Sequence, residues 1–225
     1  MTTVYFVRHG TTDSNIGGRF QGSTDVPLGE MGLRQADALA ERFRGMSIDA
    51  VYCSPLTRAV QTAQGVCRYL ACEPHHEDGL REVDGGLLEN QTNEFNEQNY
   101  PGSMTTLRAD PAHFNPPEGE PSRQVWARVR VAVERIVAAH PDQTIAIVSH
   151  GFALMTYLGT VDAPFEEMKP RLVSNASVTT ITYQRPDEPC LVDYNDVSHL
   201  PDEVCFRSKF WKEDVNGKET DRCRS

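Results

Sequence analysis

The sequence has no long hydrophobic run and no excess of positive charge. No segment approaches the roughly 20 consecutive apolar residues that a membrane-spanning helix needs, and the first residues lack the basic and apolar regions of a signal peptide. The 22 basic residues are outnumbered by 32 acidic ones, which gives a net charge of −10. This balance disfavours general attraction to nucleic acid or to anionic membranes. We therefore expect a cytoplasmic protein that binds neither.

Closely spaced cysteines are also missing. The six cysteines form no C-x-x-C pair, and none has a histidine at zinc-ligand spacing. This pattern predicts reduced thiols without a metal site, and leaves open a disulfide between Cys205 and Cys223. His75 and His76 are adjacent, but no further ligand stands at a supporting spacing, so we interpret them as part of a solvated loop.

What the sequence does have is enough apolar content for one core. With 225 residues and 39% hydrophobic residues, the chain fits a single large domain. Residues 82–121 are irregular and rich in Asn, Glu, Gly and Pro, which predicts a cap insertion with one short helix. Residues 201–225 are polar and are predicted to form a C-terminal tail. We therefore expect one domain over residues 1–225.

Short apolar runs alternate with helical patterns along the chain. Strand–helix alternation predicts a three-layer α/β/α fold with a mostly parallel central sheet. Serine followed by proline is a helix-start signal, and Ser54-Pro55 therefore predicts the beginning of a helix. The other predicted helices begin near residues 30, 126 and 151, and the predicted strands lie at residues 4–7, 48–52, 145–148, 178–183 and 191–194.

Reactive side chains stand where three predicted strands end. Arg8 and His9 follow the first strand, Arg58 lies in the first turn of the helix after the second, and His150 follows a later one. In open α/β sheets, ligands bind outside the carboxyl ends of the strands. Helix N-termini at that edge add N–H donors and a partial positive charge. The pattern therefore predicts a phosphate-binding pocket in an acidic chain.

Four sequence blocks carry a resemblance to a known family. Residues 6–15 (FVRHGTTDSN) resemble the R-H-G-x-T-x-x-N motif of the histidine phosphatase superfamily, which is also called phosphoglycerate-mutase-like. Residues 54–63 (SPLTRAVQTA), 80–86 (LREVDGG) and 148–151 (VSHG) are similar to its second, third and fourth blocks. The blocks occur in the family's order and cover roughly residues 3–200. The resemblance implies a phosphoglycerate-mutase-like fold.

The resemblance also implies a role for each residue of the predicted pocket. His9 would be the nucleophile and become a phosphohistidine; neutral imidazole is nucleophilic near pH 7, and covalent catalysis divides one difficult step into two. Arg8, Arg58 and His150 would bind the phosphoryl oxygens and offset the charge of the transition state. Glu82 would protonate the leaving alcohol and later deprotonate the hydrolytic water.

The resemblance implies further site residues, and the sequence departs from the family pattern at two places. Two nearby carboxylates, Asp84 and Glu89, are alternatives to Glu82. Residues 86–90 (GLLEN) stand where many members have G-x-W-E-G, and residues 118–121 (EGEP) stand near the usual G-G-E-S. Both departures fall in the expected cap and bear on substrate identity. Four more residues are implied to contact the substrate: Asn15, Gln21, Gly22 and Gly151.

The segment after the expected general acid separates two activities. Residues 90–95 read NQTNEF, where cofactor-dependent phosphoglycerate mutases carry an insertion with an R-Y-G stretch. The shorter cap favours the phosphatase branch. The resemblance thus implies a metal-independent and cofactor-free phosphoric monoester hydrolase of the histidine acid phosphatase type, which acts on small phosphorylated metabolites through a phosphohistidine on His9.

Three other functions stay open from the sequence. They are a cofactor-dependent phosphoglycerate mutase, a non-catalytic module that binds a phosphate ligand, and a metallohydrolase with histidine ligands. The full set of predicted catalytic side chains disfavours the binding module. The physiological substrate does not follow from the core motifs, and the sequence leaves open whether the chain is a monomer or a homodimer.

Overall fold

The computed structural model describes residues 1–206, and its centre is a six-stranded sheet. Cys223 and most of the predicted tail lie outside the described residues. The strands are β1 (Thr2–Arg8), β2 (Ala50–Cys53), β3 (His75–His76), β4 (Thr144–Ser149), β5 (Val178–Tyr183) and β6 (Pro189–Asp196). Their order across the sheet is β3-β2-β4-β1-β5-β6. The strands β3, β2, β4 and β1 are parallel, while β5 and β6 extend the sheet in antiparallel fashion.

Helices cover both faces of this sheet. They are α1 (Asp13–Ile16), α2 (Glu30–Phe43), α3 (Thr57–Cys67), α4 (Asn93–Asn99), α5 (Ser103–Ala109), α6 (Ser122–Ala139) and α7 (Gly151–Leu158). On one face α2 and α3 pack against Val7, Val51 and Val148. On the other face α6 and α7 pack against Phe6 and Ile147. The predicted α/β/α layers are therefore confirmed, and β1 and β4 read as continuous apolar runs because both of their faces are buried.

The start of α3 differs from the prediction. The helix begins at Thr57, whereas the sequence placed its start at Ser54-Pro55. The Ser54 hydroxyl instead accepts a hydrogen bond from the Leu56 N–H (3.3 Å). The cap comes from a distant loop, because the Asp25 carboxylate accepts from the Thr57 N–H (2.7 Å) and the Thr57 hydroxyl (2.9 Å). Arg58 still lies in the first turn.

The predicted cap segment contains two short helices, α4 and α5, so the expectation of one helix was wrong. Local side-chain caps explain both. The Thr92 hydroxyl accepts from the Phe95 N–H at the start of α4 (3.1 Å). The Glu97 carboxylate accepts from the Gly102 and Met104 N–H groups at the start of α5 (2.9 Å each).

Two other segments add detail at the edges. His75 and His76 were expected in a loop, but they form the two-residue strand β3. Their side chains are exposed, so the sequence shows no apolar pattern from which this strand could be predicted. The first tail residues dock against α2: Val204 is buried, and its carbonyl accepts from the Gln35 amide (2.6 Å). None of the described helices is long and apolar enough to cross a membrane.

Close backbone contact between α2 and the segment after β1 requires glycine. A Cβ on Gly10 would lie 2.8 Å from the Gly32 carbonyl oxygen, and a Cβ on Gly32 would collide with the Thr11 backbone. We expect Gly32→Ala to lower the free energy of unfolding by about 2 kcal/mol, because the backbone must shift, although alanine is the better helix former. Urea unfolding measures the change.

Leu33→Ala is the control for this prediction, since Leu33 is the next residue of the same helix and is 48% exposed. It should change stability by less than about 0.5 kcal/mol. A Gly32→Ala protein as stable as the wild type would contradict the proposed close contact.

Candidate active site

The parallel pairing of β1 with β4 brings the two predicted histidines together. Arg8 pairs with Ser149 at the carboxyl ends of these strands, so His9 and His150 follow side by side. The His9 N–H donates to the Ser149 carbonyl (2.9 Å), and the two imidazole centroids are 5.1 Å apart. Arg58 enters the same space from the first turn of α3.

Both histidines are neutral in this environment. Burial lowers the pKa of His9 well below its usual 6.5, and the positive charges of Arg58 and Arg8 lower it further. Burial followed by the charge of Arg58 likewise lowers the pKa of His150 well below 6.5. His9 Nδ1 lies 2.7 Å from the Gly10 carbonyl oxygen. A carbonyl only accepts, so Nδ1 carries the proton and Nε2 keeps a free lone pair.

The two arginines are buried and held by backbone carbonyls. Arg8 donates through Nη1 to the Val173 carbonyl (2.7 Å), and Arg58 donates to the Thr24 (2.7 Å) and Gly22 (2.8 Å) carbonyls. Burial lowers the pKa of Arg8 to about 10; Glu82 opposes this shift, and Arg58 adds to it. Arg8 therefore stays charged at neutral pH. Fixed, buried guanidinium groups are suited to binding a phosphate.

Several buried polar atoms at this point find no hydrogen-bond partner among the described residues. They are Arg8 Nε, Arg58 Nε and both ring nitrogens of His150. Buried polar groups in native proteins are nearly always hydrogen-bonded. Two charged N–H donors without an acceptor beside a neutral imidazole are suited to binding a small anion, and a phosphoryl group has enough oxygens to satisfy them.

The four predicted contact residues border the same pocket. The oxygen of the Asn15 amide accepts from the Thr12 N–H (3.1 Å), and that of Gln21 accepts from the Thr12 hydroxyl (2.9 Å). Each amide therefore has its NH2 group left to donate. Gly22 has a φ of +53°, and a Cβ there would collide with Glu89. A Cβ on Gly151 would lie 3.2 Å from the Arg8 guanidinium carbon, so glycine keeps this wall open.

Glu82 faces the pocket and is held by the N-terminus of α7. Its carboxylate accepts from the N–H groups of Phe152 (3.0 Å) and Ala153 (2.9 Å), and from that of Val83 (3.0 Å). These N–H groups lack partners within the helix, and they attract a negative charge. Oε2 accepts a single N–H and so keeps a lone pair that can bind a proton.

The two alternative carboxylates have other surroundings. Glu89 accepts from the Ser23 and Gly85 N–H groups (2.6 and 2.9 Å), and so ties the segment that binds Arg58 to the cap. Asp84 accepts from the Gly86 N–H (3.0 Å). Of the three carboxylates, Glu82 is the one that lines the pocket. The geometry therefore favours Glu82 for proton transfer.

Sequence reasoning missed two residues of the site. The Asn175 amide, which lines the pocket, donates to the His9 carbonyl (3.1 Å) and to Asn15 Oδ1 (3.2 Å). Arg128 on α6 donates to the carbonyls of Arg81 (2.6 Å) and Glu82 (3.0 Å). It also forms a bidentate ion pair with Glu120, and so fixes the backbone that carries Glu82.

The pocket has a volume of about 120 Å³. Its lining combines the two arginines, His9, Glu82 and several amides with apolar side chains such as Leu107 and Phe152. Among residues 1–206, no three His, Cys, Asp or Glu side chains are grouped as a metal ion would require. The arrangement can hold a phosphoryl group next to a nucleophilic nitrogen and an acid–base carboxyl.

Two buried arginines and two histidines at the carboxyl edge of a parallel sheet are the arrangement expected of a protein that binds or transfers phosphoryl groups. The model of the histidine phosphatase superfamily (branch 1) matches residues 4–197, and the chain belongs to this family. The family resemblance seen in the sequence is thereby confirmed.

Some relatives in this family are named as phosphoglycerate mutases and others as phosphatases. The chain is 34% identical over 211 residues to "Probable phosphoglycerate mutase GpmB" of Proteus mirabilis (strain HI4320), covering 90% of this chain and 96% of that protein. It is 30% identical over 200 residues to "Uncharacterized phosphatase PhoE" of Bacillus subtilis (strain 168), covering 89% and 97%. Among solved structures, Bacillus stearothermophilus YhfR superimposes with a TM-score of 0.82 at 32% identity, covering 88% and 99%.

The neutral histidines predict how stability depends on pH. His9 and His150 have folded-state pKa values below 6.5, so their contribution is complete above pH 6.5 and is lost as the pH falls. His199, whose pKa burial lowers to about 4, acts in the same direction. Each should contribute a slope of up to about 1.4 kcal/mol per pH unit below pH 6.5. Urea unfolding between pH 7 and 5.5 measures the slope.

His150→Asn should reduce this slope, and the exposed control His76→Asn should leave it unchanged. Stability that is constant between pH 7 and 5.5, or equal slopes in all three proteins, would contradict a neutral His150.

Proposed function

We propose that this protein is a metal-independent phosphomonoesterase that hydrolyses small phosphorylated metabolites through a phosphohistidine on His9. One observation carries the proposal: His9 Nε2 keeps its lone pair next to buried guanidinium N–H donors that find no acceptor among the described residues. Family membership supports phosphoryl-transfer chemistry in general. The cytoplasmic location stays a prediction from the sequence.

In the first proposed step, His9 Nε2 attacks phosphorus in line with the ester oxygen. The N–P bond forms, the P–O ester bond breaks, and a proton from the Glu82 carboxyl goes to the leaving alcohol. Arg8 and Arg58 bind the phosphoryl oxygens and stabilise the negative charge of the transition state. Neutral His150 has one ring N–H, on either nitrogen, and donates it to a further phosphoryl oxygen.

In the second step, water replaces the alcohol. The water oxygen attacks phosphorus, the N–P bond breaks, and the water proton goes to the Glu82 carboxylate. Inorganic phosphate leaves, His9 returns to its neutral form, and Glu82 is protonated for the next cycle. The same carboxyl thus acts as acid and then as base, as microscopic reversibility requires for two similar displacements.

A phosphoglycerate mutase is the second candidate, favoured by the relative of that name. A mutase passes through a bisphosphorylated intermediate and needs a place for a second phosphoryl group. Among the described pocket residues, the cation beyond Arg8 and Arg58 is Arg19, which donates to the Asn90 carbonyl (2.8 Å). A single exposed arginine is a weak site for a second dianion, so hydrolysis is the better-supported reaction.

The first test is phosphate release from a panel of phosphomonoesters in EDTA. We expect hydrolysis by the wild type, inhibition by vanadate, and a loss of at least about 10⁴-fold in His9→Ala, because the covalent route is removed. The exposed control His113→Ala should retain activity. Brief incubation with a ³²P-labelled ester followed by acid- and base-stability analysis should show an acid-labile label on His9.

Other results would select one of the other functions. Loss of activity in EDTA would indicate a metallohydrolase. Conversion of 3-phosphoglycerate that depends on bisphosphoglycerate, without net phosphate release, would indicate a mutase. Folded protein that binds phosphate and performs neither reaction would indicate a binding module.

The role of Glu82 predicts a dependence on the leaving group. Glu82→Gln should lower kcat/KM, which reports the phosphorylation of His9, about 10²- to 10³-fold for an alkyl phosphate, because the alkoxide leaves only when protonated. The loss should be much smaller for 4-nitrophenyl phosphate, whose phenolate leaves without a proton. Asp84→Asn, outside the pocket lining, is the matched control. Equal losses for both esters would rule out a role in protonating the leaving group.

A further inference from the structure

Residues 172–176 support both Arg8 and His9, and we call them the support segment. The Val173 carbonyl accepts from Arg8 Nη1 (2.7 Å), and the Asn175 amide donates to the His9 carbonyl (3.1 Å). The segment is neither helix nor strand, so the hydrogen bonds of regular secondary structure do not hold it in place. Contacts from other parts of the chain must therefore fix its backbone.

Asn195, near the end of β6, holds the middle of the support segment. Its Oδ1 accepts from the Ser174 N–H (2.6 Å), and its Nδ2 donates to the Ser174 hydroxyl (3.3 Å). A β-bulge accounts for this direction of the side chain, because Tyr194 and Asn195 of β6 together lie opposite Thr179 of β5. Asn195 has a φ of +55°, a left-handed conformation that asparagine adopts more readily than most residues. Asparagine thus suits both the bulge and the two contacts.

His199 holds the end of the support segment. Its Nε2 lies 3.1 Å from the Ala176 carbonyl oxygen, and since a carbonyl only accepts, Nε2 carries the proton and donates it. Ala176 is fully buried, and its N–H donates to the carbonyls of Arg8 (3.0 Å) and His9 (3.3 Å). A single peptide segment therefore links His199 to the backbone of the nucleophile.

We propose that Asn195 and His199 are positioning residues, which keep Arg8 and His9 in place for phosphoryl transfer by holding the support segment. Neither is among the described residues that line the pocket, so both act through the backbone of the support segment. The inference rests on the proposed roles of Arg8 and His9. Small displacements of groups that bind or attack the reacting atoms cost large factors in rate.

Two substitutions of Asn195 test its role. Asn195→Gly removes the side chain, and glycine adopts a positive φ without strain. We expect kcat/KM for a phosphomonoester to fall, and the Ki of vanadate to rise, about 10- to 100-fold, because the Val173 carbonyl that binds Arg8 is no longer fixed. Asn195→Asp should stay within about threefold of the wild type, since a carboxylate can accept from both the N–H and the hydroxyl of Ser174.

His199 provides a second pair of variants, so the test does not depend on the folding of one protein. His199→Ala should lower kcat/KM about tenfold, because the Ala176 carbonyl loses its donor. His199→Gln should restore most of the activity, since its amide N–H can replace that of Nε2. A role in stability alone would not give this pattern of loss and rescue in kcat/KM.

Two controls separate positioning from a general loss of stability. Tyr183→Phe on β5 removes the buried hydrogen bond between the hydroxyls of Tyr183 and Tyr157 (2.7 Å), which lies outside the support segment. Val192→Ala changes a residue of β6 that is 61% exposed. Both variants should keep the kcat/KM and the vanadate Ki of the wild type, although Tyr183→Phe should unfold at a lower urea concentration.

Calorimetry with inorganic phosphate separates this inference from the proposed function. A Kd that is at least about fivefold weaker in Asn195→Gly, and is restored in Asn195→Asp, supports the inference even if no ester is hydrolysed. In that case only the proposed function fails. A wild type that neither binds phosphate nor hydrolyses an ester overturns both.

Two results overturn the inference while phosphatase activity stands. The first is a phosphate Kd and a kcat/KM in Asn195→Gly and His199→Ala that equal those of the wild type. The second is a loss of activity that follows stability alone, so that Tyr183→Phe loses as much as Asn195→Gly and neither conservative variant restores it.

Discussion

Two guanidinium groups and two imidazoles share one buried space, and the rest of the site depends on how their charge is balanced. Four cations there would repel one another without water to screen them. The histidines therefore stay neutral, and neutrality leaves His9 nucleophilic. Backbone carbonyls partly balance the arginines, and the remaining N–H donors are directed at a position that an anion can fill. Electrostatic balance and nucleophilicity are thus two consequences of the same burial, in a chain whose net charge of −10 would otherwise repel phosphate.

The carbonyls that hold the arginines come from loops, and loops need support. Glu89 accepts hydrogen bonds from Ser23 and Gly85, so it fixes the segment that binds Arg58. Arg128 performs the equivalent task for the backbone of Glu82, because one guanidinium binds both that backbone and a carboxylate. A partly buried ion pair such as Arg128–Glu120 contributes little to stability by itself. These contacts fix the positions of Arg58 and Glu82, and phosphoryl transfer depends on in-line geometry.

The sequence predicted the residues that local patterns can reveal. Arg8, His9 and His150 follow apolar runs, and the carboxyl ends of parallel strands form a known ligand edge. That β1 and β4 are neighbours is a long-range property, and only the structure shows it. The start of α3 was misplaced for the same reason, because its capping carboxylate is 32 residues away in the chain. Asn175 follows no motif or periodic pattern, so no local signal could have singled it out.

The structure shows where the residues that depart from the family pattern lie. Leu88, at the position where many members have tryptophan, is fully buried and does not line the pocket. Pro121 precedes the first residue of α6, where its lack of an N–H costs nothing. Both departures therefore concern packing and helix initiation. Leu107 and Phe206, which do line the pocket, come from α5 and from the segment after β6. Because these two residues lie in other segments than Arg8, His9, Arg58 and His150, they can change while the residues proposed to bind phosphate are retained.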